Sequence, residues 1–157
     1  MAEILGESQR PRFVTIGLTF SNYEPQTILG LLKKIAGPHG WVFINSQMRD
    51  RVDMIALEKV YAEDALTLAD DKLALLGLNP DADVTPRKAD DGIRVWCSVI
   101  KPSAEIEEKG IAKGDELLVF QSLRYVPTQL EVEIKKASDT YHLFDTGSSF
   151  IAALIQA

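Results

Sequence analysis

The residue types that most often carry chemistry are few and scattered in this sequence. It has one cysteine, Cys97, and two histidines, His39 and His142, all far apart along the chain. Zinc sites need Cys and His ligands at short, regular intervals, so the sequence predicts no metal ligand and no cofactor. A single cysteine cannot form an internal disulfide, which is typical of a reducing compartment. Cys97 lies in an apolar run and is predicted to be a core residue.

Carboxylates are plentiful, and most are expected to be solvated. Asp81 and Asp83 resemble the opening of a calcium-binding loop, but Thr85 and Pro86 interrupt the EF-hand pattern. The chain also has neither a phosphate-cradling Gly-rich loop nor the Gly-x-Ser-x-Gly elbow of serine hydrolases. No catalytic residue is therefore assigned.

One polar segment places charges of both signs close together. Residues 45–53 hold four of them, which are Arg49, Asp50, Arg51 and Asp53. Guanidinium and carboxylate groups in one loop could bind and orient a polar ligand. With residues 79–92 and His39 or His142, this segment is the candidate site of a small α+β enzyme or ligand-binding domain.

The hexapeptide FDTGSS at residues 144–149 resembles the active-site loop of pepsin-like aspartic proteases. In that family two aspartates share one proton and activate a water molecule. The resemblance implies that Asp145 would need a second copy of the loop, supplied by a dimer. The alternative is a turn opened by Asp145 or Thr146 and relaxed by Gly147, with a serine capping a final helix.

Two further stretches, PSAEI at residues 102–106 and GIAKGDEL at residues 110–117, resemble the core of AbrB-type swapped-hairpin DNA-binding domains. The resemblance implies DNA binding. Glu105, Glu107 and Glu108 make the element acidic, which opposes contact with phosphates. The alternative is a helical turn, a glycine-assisted turn and a strand.

Four residues are candidates for a protein interface. Arg94 and Trp96 alternate with Cys97 on the opposite face of a predicted strand, and Arg124 and Tyr125 lie in a predicted hairpin. Arg, Trp and Tyr are the types that anchor interfaces when exposed. If helices cover that face of the sheet, Trp96 is a core residue instead.

The charge balance disfavours a strongly basic nucleic-acid-binding protein. The chain has 157 residues, of which 17 are Lys or Arg and 23 are Asp or Glu, giving a net charge of −6. Residues 50–91 carry 11 acidic and 5 basic side chains, so the remainder is neutral. This acidic stretch is expected to be a solvated surface, with a basic partner as the alternative.

The elements that position these residues centre on residues 93–136. Apolar side chains alternate at residues 93–99 and 130–134, and a continuous apolar run occupies residues 117–120. Alternation with a period of two is typical of half-buried strands. The pattern predicts a central antiparallel sheet that supplies much of the core.

The N-terminal part is predicted to be a β-α-β unit. Its strands are expected at residues 13–20 and 41–44, and its helix ends near Ala36, where Gly37 and Pro38 follow. Ser21 and Glu24 have the spacing of a capping box.

The other segments have less distinct patterns. We predict an N-terminal arm, a short strand, a helix, a flexible loop, a strand and a closing helix at residues 1–11, 54–57, 62–76, 79–92, 140–144 and 148–155.

The sequence thus predicts an α+β protein with one compact domain over residues 1–157. It opens with β-α-β, has central antiparallel strands and ends in a short helix. The preferred function is a non-catalytic protein-binding or self-assembling subunit, for which a viral or phage accessory protein would fit. The alternatives are the loop-built enzyme and a nucleic-acid-binding accessory protein. We expect the cytoplasm, or a virion if the protein is viral, and no membrane span.

Overall fold

The computed structural model describes residues 10–63, 72–74, 78, 83–89 and 92–157. Contacts between Cα atoms divide the chain into two units. Unit 1 comprises Met1–Val52 and Arg124–Ala157, and unit 2 comprises Asp53–Leu123. Unit 2 is therefore inserted into unit 1 between two consecutive elements. The sequence has no glycine-rich linker at either crossing, and the prediction of one domain over residues 1–157 stays a prediction.

Both units contain helices and strands in the described residues. In chain order they are β1 (Phe13–Gly17), α1 (Pro25–Ala36), β2 (Trp41–Gln47), α2 (Met54–Glu63), β3 (Asp83–Ala89), β4 (Gly92–Ser98), α3 (Ala104–Glu108), β5 (Glu116–Leu123), α4 (Pro127–Ala137), β6 (Tyr141–Asp145) and β7 (Phe150–Gln156). Short 3-10 turns occupy Leu18–Asn22 and Arg49–Arg51. The prediction of an α+β protein is confirmed.

Unit 1 opens with the β-α-β arrangement that the sequence predicts. β1 and β2 are parallel neighbours, and α1 connects them. α1 ends where expected, because Gly37 adopts φ 75° and its N–H donates to Lys33 O at 2.9 Å. The predicted capping box is wrong. Ser21 lies in the first 3-10 turn, and α1 begins at Pro25 without a side-chain cap.

α4 replaces a predicted strand. Leu130 and Ile134 alternate with glutamates, but they are also four residues apart and both are fully buried on one side of a helix. Val132 between them is 50% exposed. Pro127 occupies the first helical turn, and the side chain of Gln129 accepts a hydrogen bond from Val126 N at 3.2 Å. The prediction of a strand at residues 130–134 is therefore wrong, as is the hairpin before it.

β7 replaces the predicted closing helix. It pairs antiparallel with β2 on one side and β6 on the other, giving the sheet order β1-β2-β7-β6. Ile151, Ala153 and Ile155 are buried on one face. The prediction of a short C-terminal helix is wrong because this segment alternates in the interior of a sheet. The strand predicted at residues 140–144 is confirmed as β6.

Unit 2 contains an antiparallel sheet in the order β3-β4-β5. Val95, Cys97 and Val99 pack with Ile106 and Val119 in its core. The strands predicted at residues 93–99 and 117–120 are thus confirmed, and Cys97 is buried as expected.

Two predictions of secondary structure in unit 2 are wrong. The strand expected at residues 54–57 is the start of α2, where Asp53 accepts hydrogen bonds from the N–H groups of Ile55 and Ala56, both at 3.0 Å. The loop expected at residues 79–92 contains β3, because its backbone pairs with β4 along seven residues.

Some predictions fall partly or wholly beyond the described residues. Most of the predicted helix at residues 62–76 lies outside them, as do residues 1–9 of the predicted N-terminal arm. Over the part of the chain that the structure does describe, no helix combines the length and the apolar character needed to cross a bilayer.

Candidate association surface

Among the described residues, helices cover the sheet of unit 1 on one face only. Val42, Ile44 and Ser46 of β2 are fully buried, and the residues opposite them on β7 are buried as well. Tyr141 of β6 belongs to the same face, and its hydroxyl donates to the carboxylate of Glu131 in α4 at 2.8 Å. This bond is the leading cause that lowers the pKa of Glu131 and raises that of Tyr141.

α1 packs beside α4 on this covered face. Gln26 donates to the backbone oxygen and to the carboxylate of Glu133, at 2.9 and 2.8 Å, and Lys33 Nζ donates to Ala137 O at 2.5 Å. The two helices therefore form one layer against one side of the sheet. In the part of unit 1 that the structure describes, no helix layer covers the residues on the other side of each strand.

The opposite face of the sheet is rich in aromatic side chains. Residues directly opposite each other on paired strands point to the same face, so the register identifies its members. We call the following five the aromatic face: Phe13, Trp41, Phe43, Phe144 and Phe150. Phe13, Phe144 and Phe150 are exposed by 66%, 51% and 40%, and Trp41 and Phe43 are half-buried.

Ring contacts hold part of this face in place. Phe13 stacks on Phe43 with centroids 6.4 Å apart, and Trp41 stacks on His142 at 6.1 Å. The other positions on the same side are Thr15, Asn45, Gln47, His142, Ala152, Leu154 and Gln156. None of these described positions is Asp, Glu, Lys or Arg. The guanidinium of Arg124, which is 7% exposed, donates to Gln47 at the end of β2.

The residues of the aromatic face are not among those that the sequence predicted to be functional. Its signal was present in β2, where Trp41 and Phe43 alternate with Val42 and Ile44. Both sides of such a strand are apolar, so each side must be buried by a layer or left as an exposed patch. Exposed apolar patches rimmed by polar side chains mark interaction sites.

The loop candidates in unit 1 hold backbone and side chains in place. Arg49 donates its N–H to Tyr125 O at 2.8 Å, and Asp50 is exposed in the same 3-10 turn. Arg51 donates to both carboxylate oxygens of Asp145, each at 2.7 Å, and to Ser148 O at 2.9 Å. These bonds connect the end of β2 to the turn between β6 and β7.

The FDTGSS segment is a turn, as its alternative interpretation proposed, although it caps no helix. Asp145 accepts a hydrogen bond from Gly147 N at 2.8 Å, and Gly147 has φ 76°. Arg51, with help from that N–H, lowers the pKa of Asp145 to about 2. Both carboxylate oxygens of Asp145 accept hydrogen bonds from Arg51, so this aspartate serves an ion pair and a turn within the chain.

The second resemblance also has a structural outcome. Ser103 caps α3, Gly110 and Gly114 take positive φ values of 85° and 94°, and β5 follows from Glu116. This is the helix, turn and strand that the alternative interpretation predicts.

The four interface candidates lie in different environments. Arg94 and Trp96 are half-buried on the face of β4 opposite Cys97, where Trp96 pairs with Leu118, which is 43% exposed. Arg124 is 7% exposed and donates from Nε to Gln47 Oε1 at 3.0 Å. Tyr125 is 6% exposed and its ring lies 6.3 Å from that of Phe20. The last two therefore take part in packing within the chain.

Among the described residues, no group of three or more His, Cys, Asp or Glu side chains is arranged to hold a metal ion. No protein-family model matches this chain, and a search of the curated proteins also finds no match.

Proposed function

We propose that this protein is a non-catalytic association subunit that binds a protein surface through its aromatic face. The observation that carries the proposal is the unequal cover of the unit 1 sheet. α1 and α4 occupy one side, while Phe13, Phe144 and Phe150 remain 66%, 51% and 40% exposed on the other.

Burial of these rings in an interface would favour association. Each buried aromatic side chain contributes about 2 kcal/mol through removal of apolar area from water. The stacked pairs Phe13–Phe43 and Trp41–His142 reduce the side-chain freedom that binding would otherwise remove. Aromatic side chains are also enriched in the centres of protein interfaces, where charged groups are depleted.

The neutrality of the face favours a protein over a nucleic acid. Single-stranded nucleic acids stack bases on aromatic side chains, but their binding also needs Lys or Arg along the backbone. The positions on this face hold neither. A reducing compartment such as the cytoplasm suits a chain whose one cysteine is buried.

The test compares two threonines of unit 1. Thr15 is exposed on the aromatic side of β1, and Thr27 is exposed on α1. Thr15→Cys and Thr27→Cys add matched thiols, while Cys97 is fully buried. We expect a membrane-permeant maleimide to label Thr15→Cys several-fold more slowly than Thr27→Cys in cells that naturally make the protein.

Labelling of the two purified variants at high dilution supplies the control. Similar rates there establish that both thiols are accessible in the free chain. Equal rates in cells as well would show that nothing covers the aromatic face and would overturn the proposed function.

A further inference from the structure

We propose that the partner of the aromatic face is a second copy of this chain, packed face to face about a two-fold axis. This inference rests on the proposed function and specifies the partner. Three features of the described residues support it: the charges on the face, its area and the distribution of its large and small side chains.

The charges on the face permit self-association. A two-fold interface brings the same patch of each copy together, so a patch with a net charge is repelled by its own copy. The chain carries a net charge of −6, but none of the positions that β1, β2, β7 and β6 contribute to this side is Asp, Glu, Lys or Arg. Unit 2, with 15 acidic and 8 basic residues, accounts for −7, whereas unit 1 has a balance of +1. The surface proposed to meet its own copy thus belongs to the nearly neutral unit.

The area of the face suits a reversible dimer. Four strands about 4.8 Å apart and seven residues rising about 3.4 Å each give a surface of roughly 19 by 24 Å. Two such surfaces in contact remove on the order of 1,000 Å² from solvent, which is near the lower limit for a specific interface. We therefore expect association at micromolar concentrations and not an obligate dimer.

Large and small side chains are distributed so that the face can complement itself. Phe144, Ala152 and Asn45 lie side by side in one row across β6, β7 and β2. A bulky exposed ring thus stands at the edge of the row, and two shorter side chains lie toward its centre. In a two-fold pair, a phenylalanine from one copy can lie over the short side chains of the other, as close packing of an interface requires.

The experiment measures molar mass by light scattering of the full chain over a wide concentration range. We expect the wild type to rise from one to two chain masses and to stop there. Phe144→Glu puts a carboxylate on the face at a side chain already 51% exposed, and it should remain monomeric. Val132→Glu changes a 50% exposed residue on α4 in the same unit and should dimerise like the wild type.

A second pair of variants distinguishes loss of the dimer from loss of the fold. Thr15→Glu should also abolish the dimer, while Thr27→Glu should not, and circular dichroism checks that all four variants fold. Dimerisation of both face variants, or growth of the wild type beyond two chain masses, would overturn the inference. A wild type that stays monomeric at the highest concentration would overturn it too.

Failure of the inference can be told apart from failure of the proposed function. A monomeric wild type whose Thr15→Cys thiol is protected in cells would mean that a different protein covers the face. A monomer without that protection would remove both proposals. Binding of a fluorescent oligothymidylate that depends on Phe144 would also overturn both, because it would identify the face as a platform for bases.

Discussion

Arg51 forms a two-pronged ion pair with Asp145, its Nη1 and Nη2 atoms each 2.7 Å from a different carboxylate oxygen. Arg51 follows β2, and Asp145 is the last residue of β6. The pair therefore ties together two segments that are 94 residues apart in the sequence. Parallel bonds from a planar guanidinium fix direction as well as distance, so this contact orients the turn between β6 and β7.

The first prediction concerns the pH dependence of this pair. The pKa of Asp145 falls to about 2 in the folded chain, below the value of about 4 for a free aspartate. The stabilisation is therefore fully present above pH 4 or so and is lost as the pH falls toward 2. Asp145→Asn should lower the free energy of unfolding in urea at pH 7, and its deficit should shrink as the pH approaches 2.

An exposed pair on α3 is the control for that experiment. Lys109 lies four residues after Glu105, and its Nζ is 2.9 Å from Glu105 Oε1. The two side chains are 58% and 78% exposed, respectively. Pairs of this kind contribute little to stability. Glu105→Gln should therefore change the unfolding free energy less than Asp145→Asn at pH 7. Equal effects would show that Arg51 and Asp145 act only as an ordinary surface pair.

The second prediction uses two glycines of unit 1. A Cβ at Gly40 would lie 2.3 Å from Ala36 O and 2.8 Å from Arg12 O, and both are backbone atoms that cannot rotate away. Gly40→Ala should therefore cost about 1 to 3 kcal/mol in unfolding free energy, the range of overpacked sites. Chemical denaturation followed by circular dichroism measures the change.

Gly30 provides the matched control within α1. A Cβ there has no neighbour within 4 Å, and the residue is exposed in the helix. Gly30→Ala should stabilise the protein by about 0.5 to 1 kcal/mol, because alanine loses less backbone entropy in a helix. Similar effects of the two substitutions would contradict the close approach at Gly40.

The third prediction distinguishes a helix from a strand at α4. Leu130 is fully buried and Val132 is 50% exposed, although a strand would place both on one face. Leu130→Ala should cost about 2 to 5 kcal/mol because it leaves a cavity. Val132→Ala should be close to neutral, since alanine also has the higher helix propensity. Comparable losses from the two variants would favour the strand.

The same segment shows why part of the fold was predictable and part was not. Leu130 and Ile134 satisfy both a period of two and a spacing of four, so the apolar pattern alone cannot choose between strand and helix. Pro127 and the adjacent Lys135 and Lys136 at the other end were local signals for a helix. At β4 the alternation runs over four positions, from Ile93 to Val99, and the strand prediction was right although Ile93 and Cys97 are also four residues apart.

β7 illustrates the opposite error. Phe150, Ile151, Leu154 and Ile155 also fit a helical stripe, and only pairing with β2 and β6 makes this segment a strand. The pairing with β2 joins residues more than 100 positions apart, as in Ile44 with Ala153. The local sequence does not identify such a distant partner strand. Neither the sheet order nor the aromatic face could therefore be predicted from the sequence. The two apolar sides of β2 were the part of that surface open to prediction.

The last prediction follows from how unit 1 closes at the insertion. Met48 and Tyr125 form a parallel bridge, and Arg49 N donates to Tyr125 O at 2.8 Å. The chain leaves unit 1 after Val52 and returns at Arg124, so its two ends are held close together by bonds within unit 1. A short flexible linker can close such a gap at a small entropic cost.

Replacement of residues 53–123 by about four Gly and Ser residues should therefore leave a unit 1 that unfolds cooperatively. Because the aromatic face lies wholly within unit 1, this shortened chain should also dimerise like the full protein, and Phe144→Glu should again make it monomeric. Urea unfolding and light scattering provide the two measurements. A shortened chain that lacks a cooperative transition would show that unit 1 depends on the insertion for its stability. A folded monomer would instead show that residues 53–123 take part in the association.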